Sequence, residues 1–308
     1  MDFQLKQVDV FAGGSFTGSP VSVVFDANGL DSQQMQQIAK WTNLFATTFV
    51  LSPSIPAASY QVRFFTPRAE VPFAGYPAIG TAHALLEASV VRANSGKLIQ
   101  QCAAGLITLS IADHASAHRL VTFDLPDARL RTLGDIEVKE LECALGVTVT
   151  QGYPVKMVDI GHRRVAALRG NMMNYGEQRI VAQIKSTDAL SAVTPNLQRL
   201  KDLCVSLGAA GVTIFAIQEN GAARGIEVRS FSTAQDMAEE PVRSHIHGAV
   251  AAYVRSCELT AVLGPIFKSE QRARGGMYGI VHVEIANTGP IRIGGKSVTR
   301  IDGCVYDQ

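Results

Sequence analysis

Along most of this chain apolar and polar positions alternate in short runs, and only a few stretches carry the three-to-four-residue spacing of a helix. Gln4–Phe11, Val21–Phe25, Phe49–Leu51 and Tyr60–Phe65 are rich in β-branched and aromatic residues and run into turn-forming residues, which predicts strands. The same signal recurs at Leu98–Cys102, Leu106–Ile111, Leu120–Leu125, Val155–Ile160, Arg164–Leu168, Val212–Gln218 (then a Glu-Asn-Gly turn), Val228–Thr233, Val281–Ile285, Ile291–Ile293 and Val298–Val305. A helix is predicted from Asp31 or Ser32 to Trp41, with Met35, Ile38 and Ala39 on one face. Others are expected from Thr81, over Ile136–Leu145 ending near Gly146, over Leu200–Leu207 closing at Gly208, and from about Ser244; Asn174–Arg199 reads as mixed, with helical pieces. Ala82–Leu86 and Gly248–Tyr253 are apolar on every side, the mark of a helix buried in a core.

Two stretches share an order. Val62–Leu86 reads as strand, Pro/Gly-rich loop (Pro72–Gly80) and helix. Val228–Thr233, the acidic loop Asp236–Pro241 and the helix from Ser244 repeat it. Aligning Gly80 with Ser244 puts His83 on His247 and Thr81 on His245. The repeat period is too long for a solenoid and predicts two similar halves. Many strands around few, strongly apolar helices predict an α+β fold of two pseudo-symmetric domains, each a curved, mainly antiparallel sheet around a central helix. The expected boundaries are 1–125, completed by 294–308, and 126–293, with Pro126–Leu133 as the linker.

Composition narrows the function. The chain has 308 residues, a net charge of +1 and no long Lys/Arg block, so nucleic acid is not an expected partner. Its start lacks a basic segment followed by an apolar one, and no apolar run approaches about 20 residues. A cytoplasmic protein without a membrane partner is the expectation. The glycines of Gly13–Gly18 precede a strand, not a helix, which argues against a dinucleotide site. Cys102, Cys143, Cys204, Cys257 and Cys304 are scattered and odd in number, so they read as buried free thiols. His245 and His247, two apart on a helix, point in different directions and make a poor metal pair.

The segments Val8–Phe11, Gly18-Ser19-Pro20, Asn43-Leu44 with Thr47-Thr48-Phe49, Arg63–Pro67, Pro72–Gly80, Glu239–Pro241, His247-Gly248 and Ile293–Val298 together resemble the PhzF-like phenazine biosynthesis family, which shares its fold with diaminopimelate epimerase. The resemblance covers nearly the whole chain. It implies a homodimer, a cleft between two pseudo-symmetric domains, and acid–base chemistry with no metal or cofactor. It also implies that the family's principal glutamate falls on Ala46 and its Gly-His-Pro histidine on Tyr76. Glu-Asp-Pro-Ala-Thr-Gly-Ser of the family becomes Glu239-Glu240-Pro241-Val242-Arg243-Ser244-His245. The epimerases of this fold place a thiol at each helix start; here Gly75-Tyr76 and Ser244-His245 stand there, which excludes a cysteine pair.

Glu240, His245 and Tyr76 are therefore the expected catalytic residues, and Ser19, Gly75, Tyr76, Arg243 and Ser244 the expected substrate-binding ones. Glu240 in a partly apolar cleft is expected to have a raised carboxyl pKa, or else only to complement a helix start. His245 titrates near neutrality but could be a capping residue, and Tyr76 can donate to an oxyanion but could be a packed aromatic. Arg243 could clamp a carboxylate or lie in solvent, and His83 reads as a packing histidine. Three functions follow: an isomerase or lyase acting on a small anionic metabolite, a binding protein without turnover, or a dimeric interaction subunit.

Overall fold

The computed structural model describes residues 2–112, 119–149, 152–166, 172–218, 224–232, 238–273 and 276–306, the side chains of 161–166 and 172–177 excepted. It forms two compact units: Met1–Asp124, Val165–Met173 and Gly294–Gln308 make the first, Leu125–Arg164 and Asn174–Ile293 the second. In chain order the first unit supplies β1 (Asp2–Val10), β2 (Ser19–Val24), α1 (Ser32–Thr42), β3 (Ala46–Leu51), β4 (Tyr60–Phe65), β5 (Glu70–Val71), α2 (Gly75–Glu87), β6 (Lys97–Cys102), β7 (Gly105–Ala112) and β8 (Leu120–Asp124). There follow β9 (Ala128–Thr132), α3 (Asp135–Leu145), β10 (Lys156–Ala166), β11 (Met172–Gln183), α4 (Thr187–Ala192), α5 (Leu197–Leu207), β12 (Gly211–Gln218) and β13 (Gly225–Phe231). The chain ends with α6 (Ser244–Ser256), α7 (Thr260–Leu263), β14 (Ile266–Ala273), β15 (Met277–Ile285), β16 (Ile291–Gly295) and β17 (Ser297–Tyr306), which returns to the first unit.

Each unit is a sheet wrapped on a helix. In the first, β1 lies antiparallel between β2 and β17, and α2 packs against β1, β2, β3, β8 and β17. Every residue from Tyr76 to Leu85 is buried. In the second, β11 and β12 run parallel, β12 and β13 antiparallel, β13 and β14 parallel, β14 and β15 antiparallel. There α6 packs against β9, β12 and β15, with Ile246 to Val254 buried. Helices this apolar could not face water on any side. Close approach is set by one glycine in each. A Cβ on Gly80 would lie 2.5 Å from Val21 Cγ1 and 2.8 Å from Val10 Cγ2; on Gly248 it would lie 3.0 Å from Leu125 Cδ1.

The duplicated order has a matching side-chain device. Arg63 donates to both carboxylate oxygens of Glu70 at 2.7 Å and lies 5.1 Å from the centre of the Phe65 ring. Arg229 donates to Glu239 at 2.8 and 3.4 Å and lies 5.2 Å from the centre of the Phe231 ring. Each guanidinium ties the loop after its strand back onto that strand, and the central helix then begins.

Several expectations change. The helix α2 begins at Gly75, not Thr81: Pro77 needs no N–H partner in a first turn. Thr81 is buried in mid-helix, its hydroxyl donating to Pro77 O and meeting the Thr48 hydroxyl at 2.8 Å. Gly75, not Gly80, therefore matches Ser244. Pro126–Leu133 is no linker, because it contains β9, paired antiparallel with β10. Strand β14 escaped notice because its inward positions include the polar Ser269 and Gln271, which break the apolar alternation. Asn174–Arg199 is mixed as expected: β11 as far as Gln183, then α4 and the start of α5 at Leu197 behind the Asn196 cap. Cys102 and Cys204 are buried, but Cys143 and Cys304 are exposed. Residues 167–168, the Glu-Asn-Gly turn, Thr233 and Asp236 lie outside the described residues.

Gly80→Ala is expected to lower stability by about 1–3 kcal/mol through overpacking, despite alanine's better helix propensity. Gly248→Ala, with less severe contacts, should cost less; urea unfolding of both variants measures the difference.

Candidate active site

The loop leading into α6 is held through its own backbone groups. Glu240 N donates to Ser230 O at 2.8 Å, and Glu240 O accepts from Gln271 Nε2 at 2.7 Å. Val242 fills the space over Gly279, where a Cβ would meet it at 2.5 Å. Arg243 is extended and α6 starts at Ser244, with no side chain capping it. Unpaired N–H groups at such an end favour an anion.

Glu240 is 1 % exposed. Its Oε1 accepts from Arg179, from Ser232 and, at 3.2 Å, from Ser230. Among the described residues its Oε2 accepts no hydrogen bond, and it faces Arg243 Nη1 at 3.5 Å and His245 Nε2 at 3.9 Å. Arg179, which the sequence reading missed, crosses from β11 over β12 to β13 and also donates to Thr213 Oγ1 at 3.1 Å and Ser230 Oγ at 2.8 Å. It sits opposite Gly211, where a Cβ would be 2.7 Å from its Nη2. The only sequence signal was an arginine beginning an apolar run, Arg179–Val181, where a strand interior is normally uncharged.

Burial alone would push the Glu240 carboxyl up. The charge of Arg179, those of His245 and Arg243, and the Ser232 hydroxyl outweigh burial and bring it down to about 2. This reverses the expected raised carboxyl. A group so acidic is a weak base, and what it offers its neighbours is a fixed negative charge. Its neighbour Glu239 is engaged by Arg229.

His245 keeps 35 % of its side chain exposed, beside that charge. Arg243 is not in solvent: it is 4 % exposed, as is Ser244. His247 is fully buried between Ser269 Oγ (2.6 Å from Nδ1) and Gln271 Oε1 (3.0 Å from Nε2). Gln271 spends its amide N–H on Glu240 O, so its oxygen faces His247, which must donate from Nε2 and accept from Ser269 at Nδ1. Burial, against the Gln271 hydrogen bond, brings His247 down to about 3, so it is neutral.

In the first unit Gly75 and Tyr76 open α2. The Tyr76 ring is 4 % exposed and lies 6.3 Å from Phe45 between ring centres. Ser19 opens β2 opposite Val10, buried. Ala46 opens β3, also buried. His83 is buried, with Nε2 3.8 Å from Glu87 Oε1. A cavity of about 880 Å³ in this unit, lined by Phe3, Phe25, Tyr60 and Val90 among others, contains none of the candidate residues. Among the described residues no group of three His, Cys, Asp or Glu converges as a metal would require, and no helix is long and apolar enough to cross a membrane.

His247 binds a proton below pH 6.5 when unfolded but only near 3 when folded, so stability is expected to fall as pH drops through that window. The slope per proton is about 1.4 kcal/mol per pH unit. Glu240, ordinarily 4.5 and here about 2, adds a loss of the same sign between those values. Urea unfolding from pH 7 to 3 checks this, and His247→Gln should flatten the upper part of the window.

Comparison with known proteins places this arrangement. The family model described as phenazine biosynthesis-like protein, PhzC-PhzF, matches residues 8–303. A Schizosaccharomyces pombe protein named antisense-enhancing sequence 1 is 35 % identical over 262 residues, 84 % of this chain and 82 % of that one. The trans-2,3-dihydro-3-hydroxyanthranilate isomerase of Pseudomonas chlororaphis is 30 % identical over 248 residues, 80 % of this chain and 78 % of its own. The crystal structure of a PhzF-family phenazine biosynthesis protein from Bacillus anthracis superposes with a TM-score of 0.80 over 100 % of both chains, at 20 % identity. With a family match that leaves only short ends uncovered and a sheet-on-helix fold in common, the chain belongs to the phenazine biosynthesis-like, PhzC-PhzF family.

Proposed function

We propose that this protein is a PhzF-like isomerase that moves a proton within a small carboxylated metabolite, by acid–base chemistry without metal or organic cofactor. The observation that carries the reading is His245, partly exposed at a helix start beside the buried, ionised Glu240. An imidazole is the side chain whose ordinary pKa suits proton transfer near neutrality. His245 takes a proton from a carbon acidified by the neighbouring unsaturation and returns it to another carbon of the same molecule. Substrate and product are isomers and no co-reactant is consumed. Glu240 stabilises the imidazolium while it exists. Arg243, Ser244 and the first N–H groups of α6 hold the carboxylate, since a guanidinium pairs with a carboxylate and a helix start favours an anion. Tyr76 donates to the developing oxyanion, and Gly75 and Ser19 bind other polar groups of the substrate.

On the alignment that the resemblance implies, the family glutamate's place is Ala46, which moves no proton. That favours a second reading, a binding protein that lost turnover. Deuterium wash-in from solvent, over a panel of cyclic and unsaturated carboxylic acids, separates the two. Exchange is expected with the wild type, reduced about 100-fold or more by His245→Gln and about 10-fold by Glu240→Gln or Tyr76→Phe. Calorimetric binding without exchange in the wild type would establish the second reading instead.

The protein is also proposed to be a cytoplasmic homodimer. Sedimentation equilibrium is expected to give twice the chain's mass; a monomer at micromolar concentration would refute it.

A further inference from the structure

We infer that Arg179 is a positioning residue for the proposed proton transfer: from β11 it fixes the Glu240 carboxylate so that Oε2 is presented to His245 and Arg243. The inference rests on the reading of His245 as the proton carrier, and its test keeps the two apart.

The geometry divides the two carboxylate oxygens. Oε1 is saturated, with Arg179, Ser230 and Ser232 all donating to it. A carboxylate held by three donors on one oxygen cannot rotate without breaking them. Among the described residues Oε2 is thereby left accepting no hydrogen bond, directed at Arg243 and His245. Arg179 also cannot wander. Its Nε is tied to Thr213, its Nη2 to Ser230 and Ser232, and it fits a space that only a glycine at 211 leaves open.

The surroundings narrow the cause further. Among the described residues, the charged or titratable groups facing this carboxylate are Arg179 from β11, Arg243 just before α6 and His245 in its first turn. The Arg229 guanidinium is engaged by Glu239 and by the carbonyls of Leu190 and Val193. His247 faces Ser269 and Gln271 of β14 and is neutral. Among the described residues Arg179 is thus the one cation on Oε1, and its effect on His245 travels through Glu240. A side chain acting through a single intermediary shows a distinctive non-additivity.

The test is a double-mutant cycle read by NMR titration of the His245 imidazole, alongside the pH profile of deuterium exchange. In Arg179→Met the guanidinium no longer opposes burial, so the Glu240 carboxyl is pushed up and takes a proton; Arg179→Met, Glu240→Gln and the double variant are therefore each expected to lower the His245 midpoint by about one pH unit. All three should agree within error, and the acid limb of the exchange profile should move with them. Arg179→Lys, which keeps the charge and loses the fork, should restore part of the shift. The double variant leaves no orphaned charge, so it stays informative if Arg179→Met alone does not fold. An unchanged midpoint in Arg179→Met would overturn the inference, as would a further shift on adding Arg179→Met to Glu240→Gln. Because the titration needs no turnover, a wild type that exchanges no deuterium defeats the proposed function while the cycle still decides the role of Arg179.

Discussion

A carboxylate withdrawn from water must be compensated where it stands, and in the second unit that demand organises everything near the start of α6. Arg179 and Glu240 are each about 1 % exposed. Breaking such a pair by removing one partner costs about 3–5 kcal/mol, because the survivor is left dry without its counter-charge. From this follow the Ser230, Ser232 and Thr213 hydroxyls, which surround the Arg179 guanidinium and Glu240 Oε1, and the bare Cα of Gly211, which makes room for the guanidinium. The loop before α6 is pinned as a result, and so are the positions of Arg243, Ser244 and His245. A pair of this kind adds little net stability over a well-packed apolar one. What it provides here is a negative charge in a defined place.

The two units began from one plan and were filled differently. The arginine–phenylalanine–glutamate clip at Arg63, Phe65 and Glu70 recurs at Arg229, Phe231 and Glu239. It is structural in both, since it fastens a loop to a strand. The residue after the clip's glutamate is Val71 in one unit and Glu240 in the other. A single such difference converts an apolar loop into a site for buried charge. The first unit opens its central helix with Gly75 and Tyr76, the second with Ser244 and His245.

The fold was largely legible because burial writes itself into pattern. The helices at α1, α3, α5 and α6 and most strands were visible from apolar spacing and from Asp31, Gly146 and Gly208 at their ends. What was missed has physical causes. Ser269 and Gln271 point inward from β14 to serve His247, so alternation fails there. Pro77 looked like a loop residue but sits in a first helical turn. The site was half legible. Glu240, Arg243, Ser244 and His245 lie within six residues and could be read together. Arg179 lies 61 positions away from Glu240, and only the register of β11 on β12 and β13 brings it there. For the same reason the acidity of Glu240 could not be foreseen, since the cation chiefly responsible is remote in sequence.

His245 and His247 look alike on paper and are chemically unlike in place. One imidazole has a water-facing edge; the other has both nitrogens committed, Nδ1 to a serine hydroxyl and Nε2 to a glutamine oxygen. His247 therefore stays neutral down to about pH 3, and a positive charge on the neighbouring His245 helps burial to keep it so. A transition-metal ion seeking both rings would first have to strip His247 from Ser269 and Gln271, and in doing so would release the Gln271 amide that holds the Glu240 carbonyl.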